Sequence, residues 1–218
     1  TSFCSSFMFF ALRHLPLKDC LPYAKGKDIL KQMQPPPGSV PDSVVVYFKY
    51  KKDGKEIKFD ANHFPADFDD SIYQYIDREN VVVKKGNSEP IIADFMLKTL
   101  NGTDTTQAIL TQKGKYVLFF VRDFNAVQSE HESGFTKIDS LCTKAHIPLF
   151  FVTNTGEAIQ KFNERYHFNR PILICDGTVM KTVLRAETGL VLMLGSYIEE
   201  KFNIRDVDDA MNRYFFNY

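Results

Sequence analysis

Four apolar blocks, residues 116–121, 148–152, 172–175 and 190–194, are each too short for a helix and are separated by patterned polar sequence. Continuous apolar runs of this length belong to strands covered on both faces. The segments between them carry helical spacing. Val127, Phe135, Ile138, Leu141 and Cys142 share one helix face over residues 127–145, with Gly134 weakening the middle. Thr155 is an N-cap for a helix over 157–166, and Glu157 in its first turn suits the helix dipole. Residues 178–186 make a shorter helix, the Gly195-Ser196 turn closes a hairpin between 189–194 and 197–202, and Ile204, Val207, Met211, Tyr214 and Phe215 mark a closing helix. Strands alternating with helical crossovers place this half of the chain in the α/β class.

The first half reads differently. Residues 43–50 have β-branched and aromatic residues at strand density, and Asp53-Gly54 supplies the positive backbone φ of a tight hairpin leading into 56–60. Residues 72–77 and 81–85 predict one or two further strands. Residues 28–34 predict a short helix, stopped by Pro35-Pro36-Pro37-Gly38, a stiff strap or linker. The pattern breaks over 85–90. This divides the chain into an extension with a β-hairpin subdomain, 1–88, and a second domain, 89–218, which begins with a short hairpin over 94–104 and a helical turn over 106–111.

Charge narrows the function classes. With 27 basic and 27 acidic residues the chain is neutral and has no basic stripe, which argues against nucleic acid or an anionic membrane surface as partner. The 20 phenylalanines read mainly as core, with a Phe-lined carrier pocket as the other reading. Cys4, Cys20, Cys142 and Cys175 form no CxxC and no zinc spacing. Four unpaired thiols is the simpler reading, and pairing in an oxidising compartment the other. Cys142 lies on a core helix face, Cys175 ends an apolar strand, and Asp19 beside Cys20 raises that thiol's pKa. The five histidines lack metal-ligand spacing, and Asp67, Asp69 and Asp70 lack the glycine and terminal glutamate of a calcium loop. Ser129-Glu130-His131-Glu132 lacks the geometry of a hydrolase, and no glycine-rich phosphate loop is present. No cofactor and no metal are expected.

Ala93-Asp94-Phe95-Met96-Leu97 with Asn101-Gly102, then Gly114-Lys115-Tyr116-Val117-Leu118, then the segment from Glu157 through Phe162 to Tyr166, follow one another at the spacing seen in thioredoxin-like proteins of the peroxide-reductase and TlpA type. Residues 90–218 resemble that family. The resemblance implies a three-layer sandwich around a central mixed sheet, with a Cys-x-x-Cys opening the helix after the first core strand, where a helix N-terminus activates the thiol. Here Ala126 and Ser129 fall at those places, and Thr188 falls where the family has a cis-proline. The earlier segment from His14 through Pro16, Cys20 and Pro22 to Tyr23, with Gly26 and Pro41-Asp42, resembles the region after the membrane helices of DoxX or MauE-like proteins of Bacteroidetes. That implies a tethered parent with helices preceding Thr1, a cell-envelope location and a domain on the periplasmic side, the cytoplasmic side being the alternative. Residues 7–12 then either adjoin the last such helix or pack in a core. By themselves they are far too short to span a bilayer, which takes about 20 apolar residues.

Two functions follow. The first is a redox-inactive, degenerate thioredoxin-like domain whose groove, lined by Phe124, Asn125, Ala126, Ser129 and Thr188, holds an extended segment of a protein partner or serves the chain's own membrane helices. The second is a thiol-disulfide oxidoreductase using Cys20, Cys142 or Cys175.

Overall fold

A computed structural model describes residues 21–122, 129–167 and 169–207, with the side chains of 129–133, 158, 161 and 165 left out. The described residues belong to two units, one made of 21–34 with 91–207 and the other of 35–90.

In chain order the first element is α1, Ile29–Gln32, capped by the Asp28 carboxylate accepting from the Lys31 N–H. It belongs to the later, α/β unit. The boundary read from sequence at 88/89 therefore differs from the structural ones at 34/35 and 90/91. Residues 26–29 run beside 196–198: Gly26 N–H donates to Ile198 O, Ile198 N–H to Lys27 O and Ile29 N–H to Ser196 O. A partner some 170 residues distant leaves no trace in local periodicity.

The unit of 35–90 is a three-stranded antiparallel sheet of β1 (Ser43–Lys52), β2 (Lys55–Asp60) and β3 (Gln74–Lys84), ordered β2-β1-β3. Asp53 and Gly54 both take positive φ in the predicted hairpin turn. β3 is one strand, with register shifts that leave Ile76 and Val83 as extra residues. One sheet face carries Phe48, Tyr50 and Phe59, against which Phe64, Phe68 and Tyr73 of the following loop pack edge-to-face or tilted at 4.8–6.4 Å. On its opposite face Glu79 pairs with both Lys49 and Lys58. Asp67 accepts from Lys52 and from the Tyr73 hydroxyl, and Asp69 from Ser71, so both carboxylates are used within the loop.

The α/β unit continues with α2 (Thr106–Leu110), β4 (Lys115–Val121), α3 (Ser129–Lys144), β5 (Leu149–Thr153), α4 (Gly156–Tyr166), β6 (Ile172–Ile174), α5 (Gly177–Leu184), β7 (Thr188–Leu194), β8 (Tyr197–Asn203) and a 3-10 turn, Ile204–Asp206. The rest of the predicted closing helix, and residues 1–12, lie outside the described residues. Sheet order is β6-β5-β4-β7-β8, with β4, β5 and β6 parallel and β7 and β8 antiparallel. The short hairpin expected over 94–104 is reduced to a Lys98–Asp104 bridge around a turn, and Lys98 also bridges Ile174.

Alternation along β4 divides the core. Tyr116, Leu118 and Phe120 face a cluster with Ile29, Leu110, Val179, Met180 and Leu184, whereas Val117, Phe119 and Val121 face Phe135, Ile138, Ile159 and Phe162. Helices α1, α2 and α5 thus cover one face, and α3 and α4 the other, giving three layers. Gly134 has a packing reason: a Cβ there would stand 3.1 Å from Ile204 Cδ1, so its absence lets the 3-10 turn lie against α3.

Candidate functional site

In an open α/β sheet, ligands meet the carboxyl ends of the parallel strands, where loops and helix starts converge. Here that edge is made by the residues after β4, β5 and β6 and by the beginning of antiparallel β7. Val121 is paired with Thr188 across the β4–β7 seam. Thr188 is 5% exposed and Thr153, ending β5, is fully buried. Ser129 is the first residue of α3 that the structure describes. Phe124, Asn125 and Ala126, the other predicted groove residues, lie outside the described residues, as does Cys20.

An ion pair that sequence reading missed closes one side of this edge. Arg122 N–H donates to Glu187 O at 2.9 Å, and the Arg122 guanidinium forks onto the Glu187 carboxylate, with Nε to Oε2 at 3.1 Å. The pair ties the residue after β4 to the residue before Thr188. Its only sequence signal is an arginine directly after a buried strand. After β6, the Asp176 carboxylate caps α5 by accepting from the Thr178 and Val179 N–H groups, which hold it below the usual carboxylate range.

The two described thiols are elsewhere. Cys142 is 1% exposed inside α3, in the cluster with Phe135 and Ile138; Cys175 is 2% exposed after β6, in the cluster on the opposite sheet face. Both are free thiols. Burial pushes each up to about 12; at Cys142 the Arg170 charge works against that, and at Cys175 the neighbouring Asp176 adds to it. A thiolate at neutral pH is therefore disfavoured at both, and the sheet keeps them from meeting. His63 pairs with Asp60, and among the described residues no group of three or more His, Cys, Asp or Glu side chains is placed to hold a metal.

Strand order, strand direction and two helical layers make the α/β unit thioredoxin-like. Solved structures are similar to this chain at low identity. Peroxiredoxin Q of Xanthomonas campestris is 14% identical, covering 56% of this chain and 90% of its own, with a TM-score of 0.41. A thioredoxin-like protein of Aeropyrum pernix is 15% identical over 55% of this chain and 89% of its own, at 0.43. A thiol:disulfide interchange protein of a Bacteroides species is 12% identical over 56% and 86%, at 0.41. A family described as a domain of unknown function, DUF8463, matches residues 44–85, inside the three-stranded unit. No curated protein matches.

Proposed function

We propose that the thioredoxin-like unit is redox-inactive and acts as a protein-interaction or accessory module. The observation that carries this reading is the placement of Cys142 and Cys175: both buried, held protonated and separated by the central sheet. Ala126 and Ser129 at the family's two cysteine places, with Thr188 at its cis-proline place, support the same conclusion. A groove that keeps the strand edge and helix start but lacks a nucleophile can still hold an extended protein segment. The Arg122–Glu187 fork keeps the two strand ends in register beside it.

We assign this module to a membrane-tethered parent of the DoxX or MauE-like kind, with the domain on the periplasmic side, on the resemblance carried by the segment from His14 to Tyr23. Among the described residues no helix is long and apolar enough to cross a membrane. Fractionation of cells expressing the parent tests it: recovery in the membrane fraction supports the tether, and recovery in the soluble fraction refutes it.

Alkylation of the native chain over pH 5–10, with mass-spectrometric assignment of each cysteine, tests the redox reading. Cys142 and Cys175 should react only on unfolding, and Cys20 should titrate no lower than the ordinary value of about 8.5. A rapidly modified cysteine titrating well below that value would establish the oxidoreductase instead.

A further inference from the structure

β3 is an edge strand. It pairs with β1 on one side, and among the described residues no strand pairs with it on the other. Which of its backbone groups are free follows from the register. Ala61 N–H donates to Val46 O at 2.9 Å, so Val46, and by alternation Phe48, directs its amide and carbonyl toward β2. Val45, Tyr47 and Lys49 then face β3, bonding their partners Val81, Glu79 and Asp77. The intervening Arg78, Asn80 and Val82 direct their N–H and C=O groups outward; of these the Arg78 N–H already donates to the Asp77 carboxylate at 2.8 Å, a bond an incoming strand replaces. All three are exposed, Val82 at 51%. Between the extra residues Ile76 and Val83, the regular edge runs for six residues, about 20 Å, the length of an ordinary strand.

The side chains along this edge discriminate among occupants. Arg78, Asn80 and Val82 lie on one face of the sheet, and Asp77, Glu79 and Val81 on the other. A second copy is disfavoured. A two-fold axis perpendicular to the sheet keeps each side chain on its own face, so only registers centred on a residue are allowed. Centring on Glu79 sets that carboxylate against itself and Asp77 against Val81; centring on Asn80 sets Arg78 and Glu79 against valines. A foreign antiparallel strand meets no such conflict if, read from its amino end, it offers two apolar β-branched residues, a small polar one, and then a basic, an acidic and a basic residue.

We propose that the β3 edge of the 35–90 unit takes up an extended segment of a protein partner as a fourth strand, the segment carrying that apolar pair followed by alternating basic, acidic and basic charge. The site is separate from the groove of the thioredoxin-like unit, and the proposal stands or falls independently of that unit's redox state.

The probe is a capped peptide with the core Val-Ile-Thr-Lys-Glu-Lys, compared with its charge-inverted form Val-Ile-Thr-Glu-Lys-Glu, added to the isotopically labelled full chain at low salt. The first should slow amide exchange at Arg78, Asn80 and Val82 and bind about tenfold tighter than the second. Asn80→Pro removes an outward donor without touching the β1 ladder, so it should abolish peptide protection while the remaining β1–β3 amides stay protected. Glu79→Lys turns one of the three favourable charge pairs unfavourable and should narrow the preference between the two peptides from about tenfold to about twofold, a readout that does not rely on the proline variant folding. Equal affinity for both peptides, no slowing at the three amides, or an unchanged preference in Glu79→Lys would overturn the proposal.

Discussion

Gly189 tests how the seam next to Thr188 is built. It lies in β7 between Phe120 of β4 and Asn203 of β8. A Cβ there would sit 2.3 Å from the Phe202 carbonyl oxygen and 2.7 Å from Leu184 Cδ2. The first neighbour is backbone, and an ordinary carbon–oxygen contact is about 3.3 Å or longer, so β8 must retreat by about 1 Å. Overpacking of this kind costs about 1–3 kcal/mol. Weakening of a ladder hydrogen bond adds about 1 kcal/mol, and the smaller unfolded-state entropy of alanine returns about 0.5–1 kcal/mol. Gly189→Ala should therefore lose about 1–3.5 kcal/mol. In urea, with a slope of about 2 kcal/mol/M, the midpoint of the α/β unit should fall by about 0.5–1.8 M, followed by circular dichroism and by amide exchange in β7 and β8. Gly177→Ala is the control, because the nearest atom there is the end of a side chain, Asn154 Nδ2 at 3.3 Å, and alanine is the better helix former. It should leave the midpoint within about 0.3 M or raise it. A Gly189→Ala midpoint equal to the parent's would refute the close packing of β8 on β7.

Alkali should destabilise the α/β unit through its thiols. Their folded pKa values lie above the unfolded ones, so the stability they contribute is complete below pH about 8.5 and is lost as pH rises toward about 12; Cys142→Ala with Cys175→Ala should flatten thermal melting curves measured across that window. The 35–90 unit should respond to acid instead. His63, Lys52, Ser71 and Lys58 hold Asp60, Asp67, Asp69 and Glu79 respectively below the carboxylate range, so its stability is present above pH about 4 and falls as pH drops through the lowered values; a melting temperature of that unit unchanged at pH 3 would contradict this. Phe59 is the hub of the aromatic cluster, touching Tyr50, Phe64, Phe68 and Tyr73. Phe59→Ala should cost about 3–5 kcal/mol and unfold the 35–90 unit while amide exchange in β4 and β5 stays slow.

The parts of the fold visible in sequence are those fixed by local pattern. Residues 116–121 are apolar at every position because β4 lies at the centre of a sheet covered on both faces, and the Asp53-Gly54 turn is demanded by hairpin geometry. β3 is less legible because Asp77-Arg78-Glu79 interrupts its apolar run; Asp77 and Arg78 are exposed on the sheet faces, and Glu79 is met there by Lys49 and Lys58. Cys142 and Cys175 read correctly as buried from helix spacing and strand composition. The Arg122–Glu187 fork was invisible, since its partners are 65 residues apart and meet only when β7 pairs with β4. Residues 21–34 were misplaced for the same reason: Tyr23 and Ile29 join the α/β core through contacts with the β8 turn, which no local period announces.

That misplacement changes what the three-stranded unit is. Ile92 N–H donates to Gln32 O at 3.0 Å, so the chain leaves and re-enters the thioredoxin-like unit at adjacent points. Within the inserted stretch, Asn87 N–H donates to Val40 O, the Asn87 amide oxygen accepts from Val40 N–H, and Asp42 accepts from Gly86 N–H. Gly86 is required there, because a Cβ would lie 2.0 Å from Val40 O. The sheet with its aromatic cover is therefore closed by its own bonds before it reaches either junction, and the 44–85 family match falls wholly inside that closure. An insertion so closed need not borrow core from its host. The proposed groove of the thioredoxin-like unit and the proposed strand-accepting edge can accordingly occur in one chain as separate sites, each open to substitution without unfolding the other.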